Sequence, residues 1–195
     1  MSGNFHIGDN ITQHGPNSAV YKGAQSFPQP SRPHVFSGPP LVFVNYRSPD
    51  ERAAFDLDAE LTRRLGEGAV FRAARMPVGT AFPAELLHRA ANCPVMLSVI
   101  GRHWENAYGT RPLDDPGDWV RREIATALRN RVHVAPVLVG ARSRPAAADL
   151  PQEIRMIAHL QTLHLPMHYT GPDLRGLVDR LLRSVPALVN IRTVD

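Results

Sequence analysis

Glu123 and Trp119 lie four residues apart, a spacing that stacks their side chains on one face of a helix. The residues three or four positions from Glu123 are Trp119, Val120, Thr126 and Ala127, so no neighbour on its own helix neutralises it. Asp118 does have such a neighbour, Arg122, and the pattern assigns the exposed ion pair of this helix to those two. Val120, Ile124, Ala127 and Leu128 recur at helical spacing as one apolar stripe. A carboxyl group beside an indole at the edge of such a stripe is partly desolvated, the condition under which a glutamate does acid–base or electrostatic chemistry. The same spacing also fits a solvated surface glutamate, so the elements around it have to decide.

The helix carries its own start signals. Asp115 is placed to cap it, Pro116 suits the first helical position, and Asp118 puts negative charge in the first turn. Upstream, Leu41 to Val44 is a continuous apolar run of the kind found in buried parallel strands. Ser48 then caps a helix that opens on Pro49 and runs to about Leu65. Ala69 to Phe71 reads as a second strand, Ala73 to Phe82 as a loop, and Pro83 as the opening of a helix over Ala84 to Ala91. Val95 to Ile100 is a third strand, followed by a loop from Gly101 to Gly117. Beyond the central helix come a strand from Val132 to Val139, a short helix from Leu150, a strand from Leu160 to Leu165 and a helix from Pro172 to Ser184.

Strand and helix alternate five times, the pattern of a doubly wound parallel α/β sheet. Sites in such sheets lie outside the carboxyl ends of the strands. Here those ends are Tyr46-Arg47, Phe71-Arg72, the loop after Ile100 and the loop after Val139. The loop after Ile100 leads into Trp119 and Glu123, which lets Glu123 face the crevice.

Residues 1–23 contain two short strand-like stretches joined by turn residues, a pattern that fits either a marginal hairpin needing a partner or a disordered tail. Residues 24–39 hold Pro28, Pro30, Pro33 and Pro39 and read as a semi-stiff linker. The globular domain is placed at 40–186, and 187–195 at a tail.

The 195 residues are 43% hydrophobic and 21% charged, values of an ordinary globular chain. The net charge of +4 comes from scattered arginines, with Lys22 the only lysine. Arg63-Arg64 and Arg121-Arg122 are the densest pairs, which is not the clustered footprint of a nucleic-acid binder. Cys93 is the only cysteine, so there is neither a disulfide framework nor a cysteine-based zinc site, and a reducing compartment fits. His6, His14 and His34 lack metal-ligand spacing. No apolar run approaches membrane-spanning length and no signal pattern opens the chain, so the protein reads as cytoplasmic. Glycine-rich phosphate loops and a Gly-x-Ser-x-Gly elbow are missing, which excludes dehydrogenase, P-loop and α/β-hydrolase readings. Asp50, Asp56 and Asp58 read as solvated charge on the first helix.

Val42-Phe43-Val44-Asn45-Tyr46-Arg47 resembles the opening strand of TIR domains, a hydrophobic strand followed by Ser-Tyr-Arg. Val70-Phe71 and the Pro77 to Phe82 loop resemble the family's second strand and BB loop. Asp118 to Ile124 resembles the Trp-x-x-x-Glu helix of NAD-cleaving TIR domains. The resemblance covers about residues 40–186. It implies a flavodoxin-like five-stranded parallel sheet with helices on both faces. The implied activity is hydrolysis or cyclisation of NAD+ or NADP+ as substrate, releasing nicotinamide, with no further cofactor and no metal. It also implies homotypic TIR–TIR self-association and a role in bacterial defence against phage.

Position by position, the resemblance makes Glu123 the catalytic glutamate. Trp119, Phe71, Tyr46 and Arg47 become substrate-binding residues, and Met76, Pro77, Val78 and Gly79 the assembly surface of the BB loop. The chemistry agrees: cleaving the nicotinamide–ribose bond builds positive charge on the ribose and releases a leaving group that needs no acid, so one carboxylate suffices. Aromatic faces suit the flat cationic ring, and arginines the diphosphate. The chain departs from the family at Arg72, where an acidic residue is usual, and at Asn45, where serine is common. A cation at 72 either repels the nicotinamidium or holds a phosphate. A non-catalytic TIR adaptor, with Trp119 and Glu123 kept for packing, is the alternative, and nucleotide processing by the same carboxylate logic a weaker third.

Overall fold

The computed structural model describes residues 35–75, 82–106, 112–140 and 143–189. The N-terminal extension, most of the proline-rich linker, the BB-loop residues Met76, Pro77, Val78 and Gly79, and the last six residues lie outside the described residues. Five parallel strands form one sheet: β1 (Val42–Asn45), β2 (Val70–Arg72), β3 (Val95–Ile100), β4 (His133–Val139) and β5 (Leu163–Leu165), in the order β2-β1-β3-β4-β5. That order switches direction at β1, between the loops that follow β1 and β3, as in flavodoxin-like sheets. The helices are α1 (Glu51–Leu65), α2 (Phe82–Asn92), α3 (Trp119–Arg129), α4 (Gly171–Ser184) and α5 (Pro186–Val189).

Alternation along the strands sorts the core into two layers. Val42, Val44, Val70, Leu97 and Val137 pack with Leu57 and Leu61 of α1 and with Val178 and Leu181 of α4. Phe43, Phe71, Met96, Ile100 and Leu138 pack on the other face with Leu86 of α2, Ile124 of α3, and Ile154 and Ile157 of a 3-10 stretch over Gln152–His159. The same alternation puts Asn45 and Ser98, neighbours in register across β1 and β3, on the α2/α3 face. It puts Arg72 on the α1 face.

Several boundaries differ from the sequence expectation. Ser48–Asp50 is a 3-10 turn, and α1 proper starts at Glu51. It ends where Gly66 takes a φ of 101°, a backbone state open to glycine. Asp50 is buried rather than solvated, because its Oδ2 accepts the Gly101 amide at 3.2 Å and ties the loop after β3 to this turn. Helix α3 begins at Trp119, later than Asp115 and Pro116 suggested. Asp115 spends its carboxylate on the Gly117 amide at 2.7 Å, a local turn, and Asp118 caps the helix through the Arg121 amide at 2.9 Å.

The domain also reaches past both expected limits. The Phe36 amide donates to the Glu67 carbonyl at 2.7 Å, so the end of the linker is stitched to the domain. Leu188 is buried in the α1/α4 layer, so α5 belongs to the core rather than to a tail.

Candidate active site around Glu123

Glu123 sits in the second turn of α3 with its side chain turned toward the sheet, and it is only 6% exposed. The Asn45 Nδ2 at the carboxyl end of β1 donates to its Oε2 at 2.6 Å. The same amide nitrogen faces the Val120 carbonyl at 3.5 Å, and the Ser98 hydroxyl donates to the Asn45 Oδ1 at 3.2 Å. Burial pushes the Glu123 carboxyl up to about 8; the Asn45 hydrogen bond works against that rise and the charge of Asp118 adds to it. The sequence reading of a partly desolvated carboxyl at the helix edge is therefore an understatement.

Asp118 is not paired with Arg122. Its two carboxylate oxygens each accept from a terminal nitrogen of Arg47 at 3.0 Å, with both residues buried. The Arg47 Nε donates to the Trp104 carbonyl in the loop after β3. Arg47, expected to touch substrate, is thus a buried clamp joining β1, the loop after β3 and the start of α3. Arg122 instead lies over the Trp119 ring, 4.2 Å from its centroid. Trp104 is fully buried in the α2/α3 layer, and its indole N–H finds no acceptor among the described residues.

Arg72 faces α1. Its Nε donates to Asp58 Oδ2 at 3.1 Å, its Nη1 to the Tyr46 hydroxyl at 3.4 Å, and it stands over the Tyr46 and Phe55 rings. Asp58 is 1% exposed, which overturns its reading as solvated charge. The Arg72 guanidinium therefore sits on the sheet face opposite Glu123 with a buried carboxylate against it. Tyr46, half-buried, belongs to that side as well.

Phe71 lies on the α2/α3 face, 5.1 Å from the Phe43 ring and under the Arg89 guanidinium at 4.5 Å. With Pro39, Pro40, Glu85, His88 and Cys93 it lines a cavity of about 250 Å3 that does not include Glu123. Burial pushes the Cys93 thiol there up to about 12, so it is no nucleophile at neutral pH. A second cavity of about 310 Å3 lies at the carboxyl ends of the strands between Asp50, Arg102, Val139 and Tyr169, again without Glu123. The structure thus joins Glu123 and Trp119 on one helix, and sets Tyr46 and Phe71 on opposite sheet faces.

Among the described residues, Asn45, Ser98 and Asp118 act on Glu123 without having been given a role at the site by sequence reasoning. The available signal was polarity in the wrong place: Asn45 and Ser98 each interrupt an otherwise apolar strand at its carboxyl half. Among the described residues no cluster of three or more His, Cys, Asp or Glu could hold a metal ion, and no helix is long and apolar enough to cross a membrane.

A five-stranded parallel sheet in this order, with a buried carboxyl behind the carboxyl end of β1, defines a flavodoxin-like α/β domain. The family model described as the TIR domain matches residues 42–181, and the chain belongs to that family. Among solved structures, the chain is similar to the TIR domains of the activated Roq1 resistosome, which directly recognises the pathogen effector XopQ. That likeness has a TM-score of 0.54 at 14% identity, over 74% of this chain and 98% of the other. It is also similar to a metazoan TIR-STING receptor from C. gigas in complex with 2',3'-cGAMP, with a TM-score of 0.49 at 19% identity, over 74% of this chain and 41% of the other. No curated protein matches the chain.

Proposed function

We propose that this TIR domain is an NAD+ or NADP+ glycohydrolase or cyclase that uses Glu123 to cleave the nicotinamide–ribose bond. The observation that carries the reading is the Glu123 carboxyl, 6% exposed and held by Asn45, on the helix face that also bears Trp119. Burial, which pushes this carboxyl up to about 8, favours its protonated form near neutral pH. A cationic nicotinamide ring brought beside it favours the carboxylate, so substrate binding itself charges the residue. The carboxylate then holds the ribose hydroxyls and opposes the positive charge that grows as the bond to neutral nicotinamide breaks. Water captures the sugar and sheds a proton to give ADP-ribose, or a nucleophilic atom of the adenosine half of the same molecule captures it to give a cyclic isomer.

Burial of Glu123 makes the isolated domain a resting form, and self-association that opens the site is the proposed trigger. The Roq1 structure is itself that of an activated resistosome, which supports association as the route to activity. The sequence resemblance supports a role in bacterial defence against phage as part of this reading. The experiment is nicotinamide release from NAD+ by concentrated protein, beside Glu123→Gln. Release by wild type alone supports the enzyme; equal release, or none from an assembled sample, rejects it.

A non-catalytic adaptor is the second reading, and one observation favours it. Arg47 and Arg72, at the exits of β1 and β2, are both paired with buried carboxylates, which leaves them poorly placed to hold a diphosphate.

A further inference from the structure

Asn45 and Ser98 are 1% and 0% exposed, two polar side chains set into strands that are otherwise apolar. A buried amide or hydroxyl without a partner destabilises the fold, and here each polar end is matched. The match is directional. Val120 offers a carbonyl, an acceptor only, at 3.5 Å from the Asn45 Nδ2, so the amide nitrogen must face α3. The amide oxygen then faces β3, where the Ser98 hydroxyl donates to it at 3.2 Å. With the amide held at both ends, its other N–H is aimed at Glu123 Oε2, 2.6 Å away.

We infer that Ser98 and Asn45 act as positioning residues for Glu123: Ser98 fixes the amide of Asn45, and Asn45 presents an N–H that holds the carboxyl. The inference deepens the proposed reaction and rests on it for its functional meaning, although the relay itself is geometry. It gives Asn45, a departure from the serine common in the family, a task that a shorter hydroxyl side chain does not reach in the same way. Asp118, at the start of the same helix, is the charged group that acts on Glu123 besides, and it is paired with Arg47.

The test reads the Glu123 titration directly, by NMR of protein carrying 13C at the glutamate side-chain carboxyls, in wild type, Ser98→Ala and Asn45→Ser. Loss of one hydrogen bond to the charged form raises the midpoint by roughly half to one pH unit in Asn45→Ser. Ser98→Ala, which removes a single oxygen and leaves the strand intact, produces a smaller rise in the same direction. A Glu123 midpoint equal to wild type in folded Ser98→Ala overturns the relay, and one equal to wild type in Asn45→Ser overturns the positioning role altogether. Nicotinamide release from the same samples separates the two ideas. Shifted variant titrations where assembled wild type releases none keep the relay and reject the enzyme, whereas release by wild type with unshifted variant titrations does the reverse.

Discussion

Arg47 and Asp118 meet as a fork, each terminal guanidinium nitrogen 3.0 Å from one carboxylate oxygen, across 71 residues of chain. The pair ties the exit of β1 to the first turn of α3, and Asp118 at the same time caps that helix. The position of Glu123 therefore depends on a buried ion pair that contains none of the atoms of the proposed reaction.

Arg47→Met leaves Asp118 buried and uncompensated. The expected loss is about 3–5 kcal/mol of unfolding free energy, measured by urea denaturation. A loss within about 1 kcal/mol would put the pair in the class of weak surface bridges and contradict the clamp.

Arg72 gives a parallel case on the other face. Arg72→Met is expected to destabilise by a few kcal/mol because Asp58 is 1% exposed, and Asp58→Leu in the same chain to restore much of that loss. Since the guanidinium faces α1, the Glu123 titration should stay at its wild-type midpoint. A displaced midpoint in Arg72→Met would show that the two faces communicate.

Gly101→Ala tests the tie between the loop after β3 and the start of α1. A Cβ there would lie 1.7 Å from Asp50 Oδ1, so either the carboxylate leaves its hydrogen bond or the backbone shifts. The expected cost is about 1–3 kcal/mol in thermal or urea unfolding. Wild-type stability in Gly101→Ala would contradict the crowding.

The pH dependence of stability has a definite sign. Glu123 binds its proton more tightly in the folded protein, with a folded value of about 8 against an ordinary 4.5. Its contribution is fully present below about pH 4.5, falls as pH rises toward 8 and levels off above. Glu123→Gln keeps an acceptor for Asn45 and removes the ionisation, so it should be more stable than wild type above pH 8, by at most a few kcal/mol. Parallel stability curves for the two proteins across this window would contradict a buried, raised carboxyl.

What could be read in the sequence was what local pattern encodes. The alternation of strands and helices, the apolar runs, and the pairing of Trp119 with Glu123 at four residues all appear in the fold. The partner of Asp118 was misread because a helix shows its own i, i+4 neighbours, whereas Arg47 comes from another element brought close by the sheet. Asp58 was misread for the same reason: its partner Arg72 is on a strand that alternation turns toward α1. Leu188 looked like tail because a four-residue helix has too little length for periodicity to show. Long-range polar pairs were hidden, and they are what holds the site.

The most direct measurement is the initial rate of nicotinamide release from NAD+ by the concentrated full chain between about pH 6 and 9, for wild type and Glu123→Gln. The account predicts a wild-type kcat/KM that rises with pH on its acid side, where Glu123 must give up its proton to act, with no turnover by Glu123→Gln. A flat or falling profile, or turnover retained by Glu123→Gln, would contradict the assignment of the reaction to this carboxylate.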